Sequence, residues 1–229
     1  LEDARLIEAR PRSGYFVAAR PPQLPEPDTS RPPKRSVSVG ISAMAGKMMS
    51  LAHHPDYVSF GAACPDAALF AQDRVRRAVS RATQRHRATL CQFPFGPGDE
   101  SLRKAIARHA LRMGCHVDAE DITVTGSCLE SITLCLRTVT KPGDVVALES
   151  PTYYGFLEIL ESLGLRALEI PTHPRTGLSL DALQLALDTQ PVKAILVVPT
   201  LSNPLGCSMP LSERKRLAQM VARHQVPLI

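Results

Sequence analysis

Three short segments carry residue types able to hold a small ligand. Thr125-Gly126-Ser127-Cys128 leads directly into a helix-forming stretch. A helix start offers unpaired N–H groups and the positive end of a dipole, and Gly126 lets a ligand approach the backbone. With the Ser127 hydroxyl added, this turn could hold a phosphate group, although an ordinary helix cap uses the same residues. In Ser150-Pro151-Thr152-Tyr153-Tyr154-Gly155 an aromatic ring follows an apolar run, where it could face a ligand or fill core. In AILVVPTLSNPLG, residues 194–206, Asn203 presents an amide that can donate or accept. Pro204 and Gly206 stiffen its loop, and all three residues are also common in connecting turns.

The elements around these segments alternate. Residues 194–198 are short, apolar and largely β-branched, as in a strand buried on both faces, and a polar helix-forming segment runs from Leu211 to 224. Upstream, the pattern gives helices at 73–89 and after Gly98, with Leu102, Ile106 and Met113 inward on the second. It then gives a strand at 122–124, a helix at 128–139, a strand at 145–148 and a helix at 154–163. A strand at 166–170 and a helix at 180–187, capped by Ser179, complete the series. Leu129, Ile132, Leu136 and Val139 form the inner stripe of helix 128–139. Val58 to Phe60 reads as a short strand, followed by a loop through Gly61. Such alternation predicts an α/β fold with a mostly parallel sheet covered on both faces, and ligands of such sheets collect beyond the carboxyl ends of the strands.

At 229 residues and 44% apolar content the chain can bury a substantial core, while no run is long and apolar enough for a membrane span. No signal peptide is visible at its start. The six cysteines, at 64, 91, 115, 128, 135 and 207, follow no metal-ligand spacing and fit reduced thiols in a cytoplasmic protein. The net charge of +5 is uneven: ten Arg or Lys stand against three acids between Asp73 and Arg112. Val75, Ala78, Val79 and Ala82 recur at helical spacing there and put most of the arginines outward. That suits a solvated face or a phosphate-binding surface.

Leu6 to Ala9 and Tyr15 to Ala18 are extended runs around Arg10-Pro11-Arg12-Ser13-Gly14, a hairpin signal. From Arg20 to Arg35 there are six prolines, which predicts an extended, exposed linker. The organisation expected is a hairpin over 1–19, a linker over 20–36 and an α/β domain over 37–229.

The wording LIEARPRSGYFV resembles the closing wing of GntR-type winged-helix DNA-binding domains. By that resemblance Arg10 and Arg12 would touch the DNA backbone, contacts that position a protein without reading sequence. FGPGDESLRKAIA, TGSCLES, SPTYYG and PTLSNPLG together resemble, in order, four motifs of the fold-type I pyridoxal phosphate enzymes, the class I and II aminotransferases. The resemblance implies pyridoxal 5'-phosphate as cofactor. Gly126, Ser127 and Cys128 would hold its phosphate, Tyr153 would stack on its ring and Asn203 would bond its phenolic oxygen. Gly61 would correspond to a substrate loop. A wing, a proline-rich linker and an aminotransferase-like domain in one chain resemble the MocR subgroup of GntR regulators.

That likeness implies a cytoplasmic, homodimeric, DNA-binding regulator responding to an amino acid or its pyridoxal phosphate adduct; the alternative is a plain aminotransferase. Phe93 stands where many relatives have a tyrosine that reaches the partner subunit's cofactor. In the family the Schiff-base lysine, the ring-nitrogen aspartate and the carboxylate-binding arginine all follow the Asn203 motif. The chain given, read as a fragment, is therefore expected to bind the cofactor weakly, to transfer no amino group, and to leave a sheet edge and helix faces uncovered.

Overall fold

The computed structural model describes residues 2, 7–17, 25–52, 54, 56, 65–93 and 95–229, arranged around two sheets. The first is the hairpin expected from the sequence, in which β1 (Ile7–Arg10) and β2 (Gly14–Val17) pair antiparallel with Ile7 opposite Val17. Its turn demands backbone at positive φ, adopted by Arg12 at 61° and Gly14 at 91°, and closes with the Ser13 N–H donating to the Arg10 carbonyl at 3.0 Å. Leu6 and Ala18 lie outside the described residues, as do the strand expected at 58–60 and Gly61.

The second sheet begins with β3 (Val37–Ser38), after which come helices α1 (Ser42–Ala52), α2 (Gln72–Arg85), α3 (Glu100–Arg112) and α4 (Cys128–Val139). The alternating part follows: β4 (Val145–Ser150), α5 (Tyr154–Ser162), β5 (Arg166–His173), β6 (Gly177–Leu178), α6 (Leu180–Thr189), β7 (Val192–Leu196) and α7 (Leu211–His224). The strand order is β3-β5-β4-β7, with β6 paired to β5. β4 lies parallel to both β5 and β7, and β3 and β6 run antiparallel to β5. Two-residue strands are too short to leave a periodicity, so β3 and β6 have no counterpart in the sequence pattern.

β4 is central because both its faces and both its edges are occupied. Val145 and Ala147 join Leu168, Ile170 and Ile195 against α6 and α7, whereas Val146 and Leu148 join Ala167, Ala194 and Leu196 against α4 and α5. Strict alternation over residues that are all apolar is what a doubly covered strand requires.

The connections then reverse. β4 crosses to β5 through α5 on one face, and β5 returns past β4 to β7 through α6 on the other. After β7 the chain continues outward through α7, and Leu228 bridges Ile195 in parallel. Right-handed crossovers put helices on opposite faces when the direction of travel changes. The loops leaving β4 and β7 therefore diverge, and the crevice of this sheet opens between them at their carboxyl ends.

Four sequence expectations need correction. Residues 122–124 belong to no strand among the described residues; the Val124 N–H donates to the Pro97 carbonyl at 2.8 Å, so the segment docks on a loop. Helix 73–89 ends earlier, at Arg85, with the His86 N–H closing on the Ala82 carbonyl. Several apolar positions read as inward are open to solvent: Val75 and Val79 are 59% and 56% exposed, and Leu102, Ile106, Met113, Leu129 and Val139 are exposed too. Finally, α1 has no counterpart in the sequence pattern, because its start is secured from another element. One carboxylate oxygen of Glu161, on α5, accepts from the Ile41 N–H at 2.8 Å and from the Ser42 N–H and hydroxyl at 2.9 Å.

These bonds hold the Glu161 carboxyl below its ordinary pKa, the Ile41 N–H contributing most. A lowered carboxyl pKa adds stability above the unfolded-state value that is lost as pH falls through the folded one. Acidification through and below the ordinary glutamate range is therefore expected to release α1 before the core. Glu161→Ala should do the same at neutral pH, read as at least tenfold faster hydrogen exchange at 43–46 with exchange at Val146 and Leu148 unchanged.

Candidate functional site

α4 has 12 residues, about 18 Å at 1.5 Å per residue, and β4 has six, about 20 Å. Residues 140–144 join the end of one to the start of the other, so α4 runs back along the sheet and its mouth opens level with the carboxyl end of β4. There the Ser127 hydroxyl accepts from the Glu130 N–H at 3.1 Å, and the Glu130 carboxylate reaches back to the Gly126 N–H at 2.6 Å. This is a capping box displaced by one residue. The Thr125 hydroxyl donates to the Ser127 carbonyl at 3.0 Å, and the Cys128 thiol is exposed on the first helical residue. The mouth of α4 thus already holds an anionic oxygen. A Cβ at Gly126 would lie 3.0 Å from it.

Tyr153 caps α5 by its backbone, and its ring is half-buried. It meets Phe156 edge-on at 5.5 Å between centroids and Tyr154 at 4.7 Å, tilted. A Cβ at Gly155 would fall 2.5 Å from its Cε1, so glycine is required for the ring to sit as it does. Of the two roles open to this ring from sequence, packing at the rim of the core is the one these ring contacts display.

Asn203 is exposed at the tip of a closed loop. The base of the loop is pinned by the Met209 N–H on the Pro199 carbonyl at 2.9 Å and by Arg214, whose guanidinium donates to both the Met209 and Pro199 carbonyls. Higher up, the Ser202 N–H donates to the Cys207 carbonyl at 2.9 Å, and buried Ser202 and Cys207 touch through hydroxyl and thiol. The tip is thereby presented on a fixed stem.

Glu149 joins the two loops. The β4–β7 ladder ends at the pair Leu148 and Leu196, where the strands part. Across the gap the Glu149 carboxylate accepts from the Val198 N–H at 2.9 Å, and the residue is only 3% exposed. Burial pushes its pKa up, against the smaller opposing effect of that one hydrogen bond. On the other side the Ser150 hydroxyl donates to Glu169 at 3.1 Å and its N–H to the Thr172 hydroxyl at 3.1 Å. Sequence reasoning missed Glu149, although a lone acid closing the run VVAL was a signal that could have found it.

The turns bearing Tyr153 and Asn203 follow the carboxyl ends of the parallel neighbours β4 and β7, and the length of α4 carries Ser127 back to the same end of the sheet. Gly61 lies outside the described residues. Phe93 is 85% exposed. In the hairpin, the Arg10 guanidinium lies 4.6 Å over the Phe16 ring and 3.5 Å from Glu8, while Arg12 occupies the tip. The segment FGPGDESLR does structural work: Asp99 caps α3 through the Leu102 N–H at 2.9 Å, and buried Arg103 donates to the Ala119 carbonyl at 2.7 Å. No group of three or more His, Cys, Asp or Glu side chains able to hold a metal occurs among the described residues. No helix among them is long and apolar enough to cross a membrane.

The profile of the family Aminotransferase class I and II matches residues 62–229. The chain belongs to this family. Among its relatives, the uncharacterized HTH-type transcriptional regulator YjiR of Escherichia coli K12 is 38% identical over 226 residues, covering 99% of this chain and 48% of the relative. A second, YdcR of the same organism, is 34% identical over 229 residues, covering 100% and 49%. Of solved structures, LysN, the alpha-aminoadipate aminotransferase of Thermus thermophilus complexed with N-(5'-phosphopyridoxyl)-L-leucine, superposes with a TM-score of 0.67 at 25% identity. That superposition covers 83% of this chain and 49% of LysN. The chain spans about half the length of the curated relatives it matches.

In this aminotransferase-family sheet the Glu149 bridge makes an opposing pair of predictions. Gln keeps an acceptor for the Val198 N–H without the buried charge. A raised carboxyl pKa favours the fold at low pH and loses that contribution as pH rises from the unfolded to the folded value. Glu149→Gln should therefore melt at or above the parent temperature at pH 8, the gain vanishing on acidification below the ordinary glutamate range. Glu149→Leu leaves the N–H unpaired and should cost about 1–3 kcal/mol; thermal melts of the three proteins across pH check both.

Proposed function

We propose that this chain is the linker and first part of the effector domain of a DNA-binding transcriptional regulator, and that the domain senses pyridoxal phosphate or its amino-acid adduct. The observation that carries this reading is where the similarity extends. YjiR and YdcR match essentially the whole chain, hairpin and proline-rich linker included, whereas the LysN superposition covers 83% of it. A free-standing aminotransferase has no use for a wing followed by a long linker.

The residues present fit the cofactor. The Gly126 N–H is already aimed at an anionic oxygen, supplied here by Glu130, so the mouth of α4 suits a phosphate oxygen. Ser127 and the Gly126 and Cys128 N–H groups would hold the phosphate, Tyr153 would lie against the pyridine ring, and the Asn203 amide would donate to the phenolic oxygen. Bound pyridoxal phosphate supplies an electron sink. The chain's own residues here bind and orient it. Glu130 competes with the phosphate for the Gly126 N–H and must turn outward when it binds. In the hairpin, Arg10 is engaged by Phe16 and Glu8, which leaves Arg12 as the principal phosphate contact on DNA.

Titrating the intact protein with pyridoxal phosphate, followed by absorbance and calorimetry, tests the reading. Ser127→Ala and Asn203→Ala should each weaken binding about tenfold, or about 1.4 kcal/mol, and Glu130→Gln should tighten it several-fold. Unaltered affinity in the first two variants would sink the assignment, and efficient amino-group transfer by the intact protein would favour an enzyme instead. Arg12→Ala should lower DNA affinity equally for all sequences and flatten its salt dependence, as measured by fluorescence anisotropy.

A further inference from the structure

From residue 25 on, the proline-rich segment forms no helix or strand before β3, yet it is fastened to the domain at several points. Its course is antiparallel to β5: Val37 and Ser38 pair with Ala167 and Arg166 along the side away from β4, and further back Ser30 crosses to Thr172 at the carboxyl end of β4. Between these ends, the Lys34 carbonyl accepts from the Gln190 side chain at 3.1 Å and the Ser36 carbonyl from Arg166 at 2.6 Å. Beyond Ser30, the Glu26 carboxylate pairs with Arg175.

Ser30 is the fastening that reaches furthest inward. Its hydroxyl accepts from the Thr172 N–H at 3.0 Å and donates to the Ser150 carbonyl. Thr172 is itself buried and accepts from the Ser150 N–H at 3.1 Å. One linker hydroxyl therefore closes a ring of hydrogen bonds around Ser150, the residue from which the chain turns through Pro151 and Thr152 to Tyr153. The hydroxyl's single proton is committed to that turn.

We propose that residues 26–38 form a strap with Ser30 as its latch, so that the position of the linker and the conformation of the Tyr153 turn bias one another. The direction of the coupling rests on the reading of that turn as a ligand seat. A ligand shifts an equilibrium only by its preference between two states. Here the two states are latched, with the Ser150 carbonyl held by Ser30, and unlatched, with that carbonyl free to move with the turn. A ring seated against Tyr153 fixes the turn and favours the latched state. By reciprocity, a latched strap strengthens the seat, and whatever pulls on the linker from the hairpin side weakens it.

Hydrogen exchange by mass spectrometry on the intact protein, with pyridoxal phosphate as probe, tests this. Ser30→Ala should speed exchange at 26–38 and at Thr172 at least tenfold while 145–148 stay unchanged, and Ser30→Thr, which keeps the hydroxyl, should restore most of the protection. Pyridoxal phosphate should slow exchange at 26–38 several-fold in the parent protein and less than twofold in Ser30→Ala. Exchange in Ser30→Ala within twofold of the parent overturns the latch. Protection at 126–128 without any at 26–38 overturns the coupling. If pyridoxal phosphate protects nothing, the sensor reading fails and the coupling is decided without ligand by Tyr153→Ala. Loosening of 26–38 at least fivefold, with 145–148 unchanged, then upholds it, and unchanged exchange refutes it.

Discussion

A parallel sheet whose connections change direction must part its loops somewhere, and here the parting falls between β4 and β7. The arrangement of the candidate site follows from that constraint. The backbone ladder cannot continue past Leu148 and Leu196 once the strands diverge, yet the next inward-facing N–H, that of Val198, still needs an acceptor. Glu149 supplies it. A carboxylate kept almost entirely from water is a costly way to satisfy one amide. The bond also ties the end of β4, which leads into the turn bearing Tyr153, to the start of the loop bearing Asn203.

Much of this was legible in the sequence. Ile195 and its neighbours announced a strand covered on both faces, Ser127 and Ser179 announced the starts of α4 and α6, and the α/β alternation announced the sheet. Local chemistry was readable wherever the partner was close along the chain. It failed where the partner was distant. α1 begins at Ser42 because of a carboxylate on α5, and Gly46 in its middle obscures the helix-forming alanines and methionines around it. Residues 122–124 have the composition of a strand, but pairing is decided by neighbours in space, and the described neighbour is the loop at Pro97 rather than a strand.

The candidate site divides the same way. The helix mouth, the ring and the amide could be named from residue types, whereas their common end of the sheet needed the topology, and the links through Glu149 and Thr172 needed the three-dimensional structure. The motif containing Leu102 and Arg103 is the reverse case. It is conspicuous in the sequence, and in the structure it caps a helix and buries a guanidinium against a carbonyl. The open apolar positions of α2 and α3 fit a chain that spans about half the length of its relatives.

The run of chain beside β5 also has a bearing on how a stable piece of this protein could be cut. Between its pairings with β3 and β6, the outer rim of β5 would otherwise offer unsatisfied amides and carbonyls to a passing strand, the usual beginning of cross-chain adhesion. Pro32 and Pro33 lie along that rim without completing a ladder and, lacking N–H groups, offer no donors for a foreign strand to join. A boundary drawn at residue 37, which composition alone would recommend, would strip this guard away, whereas one drawn before Glu26 would retain it.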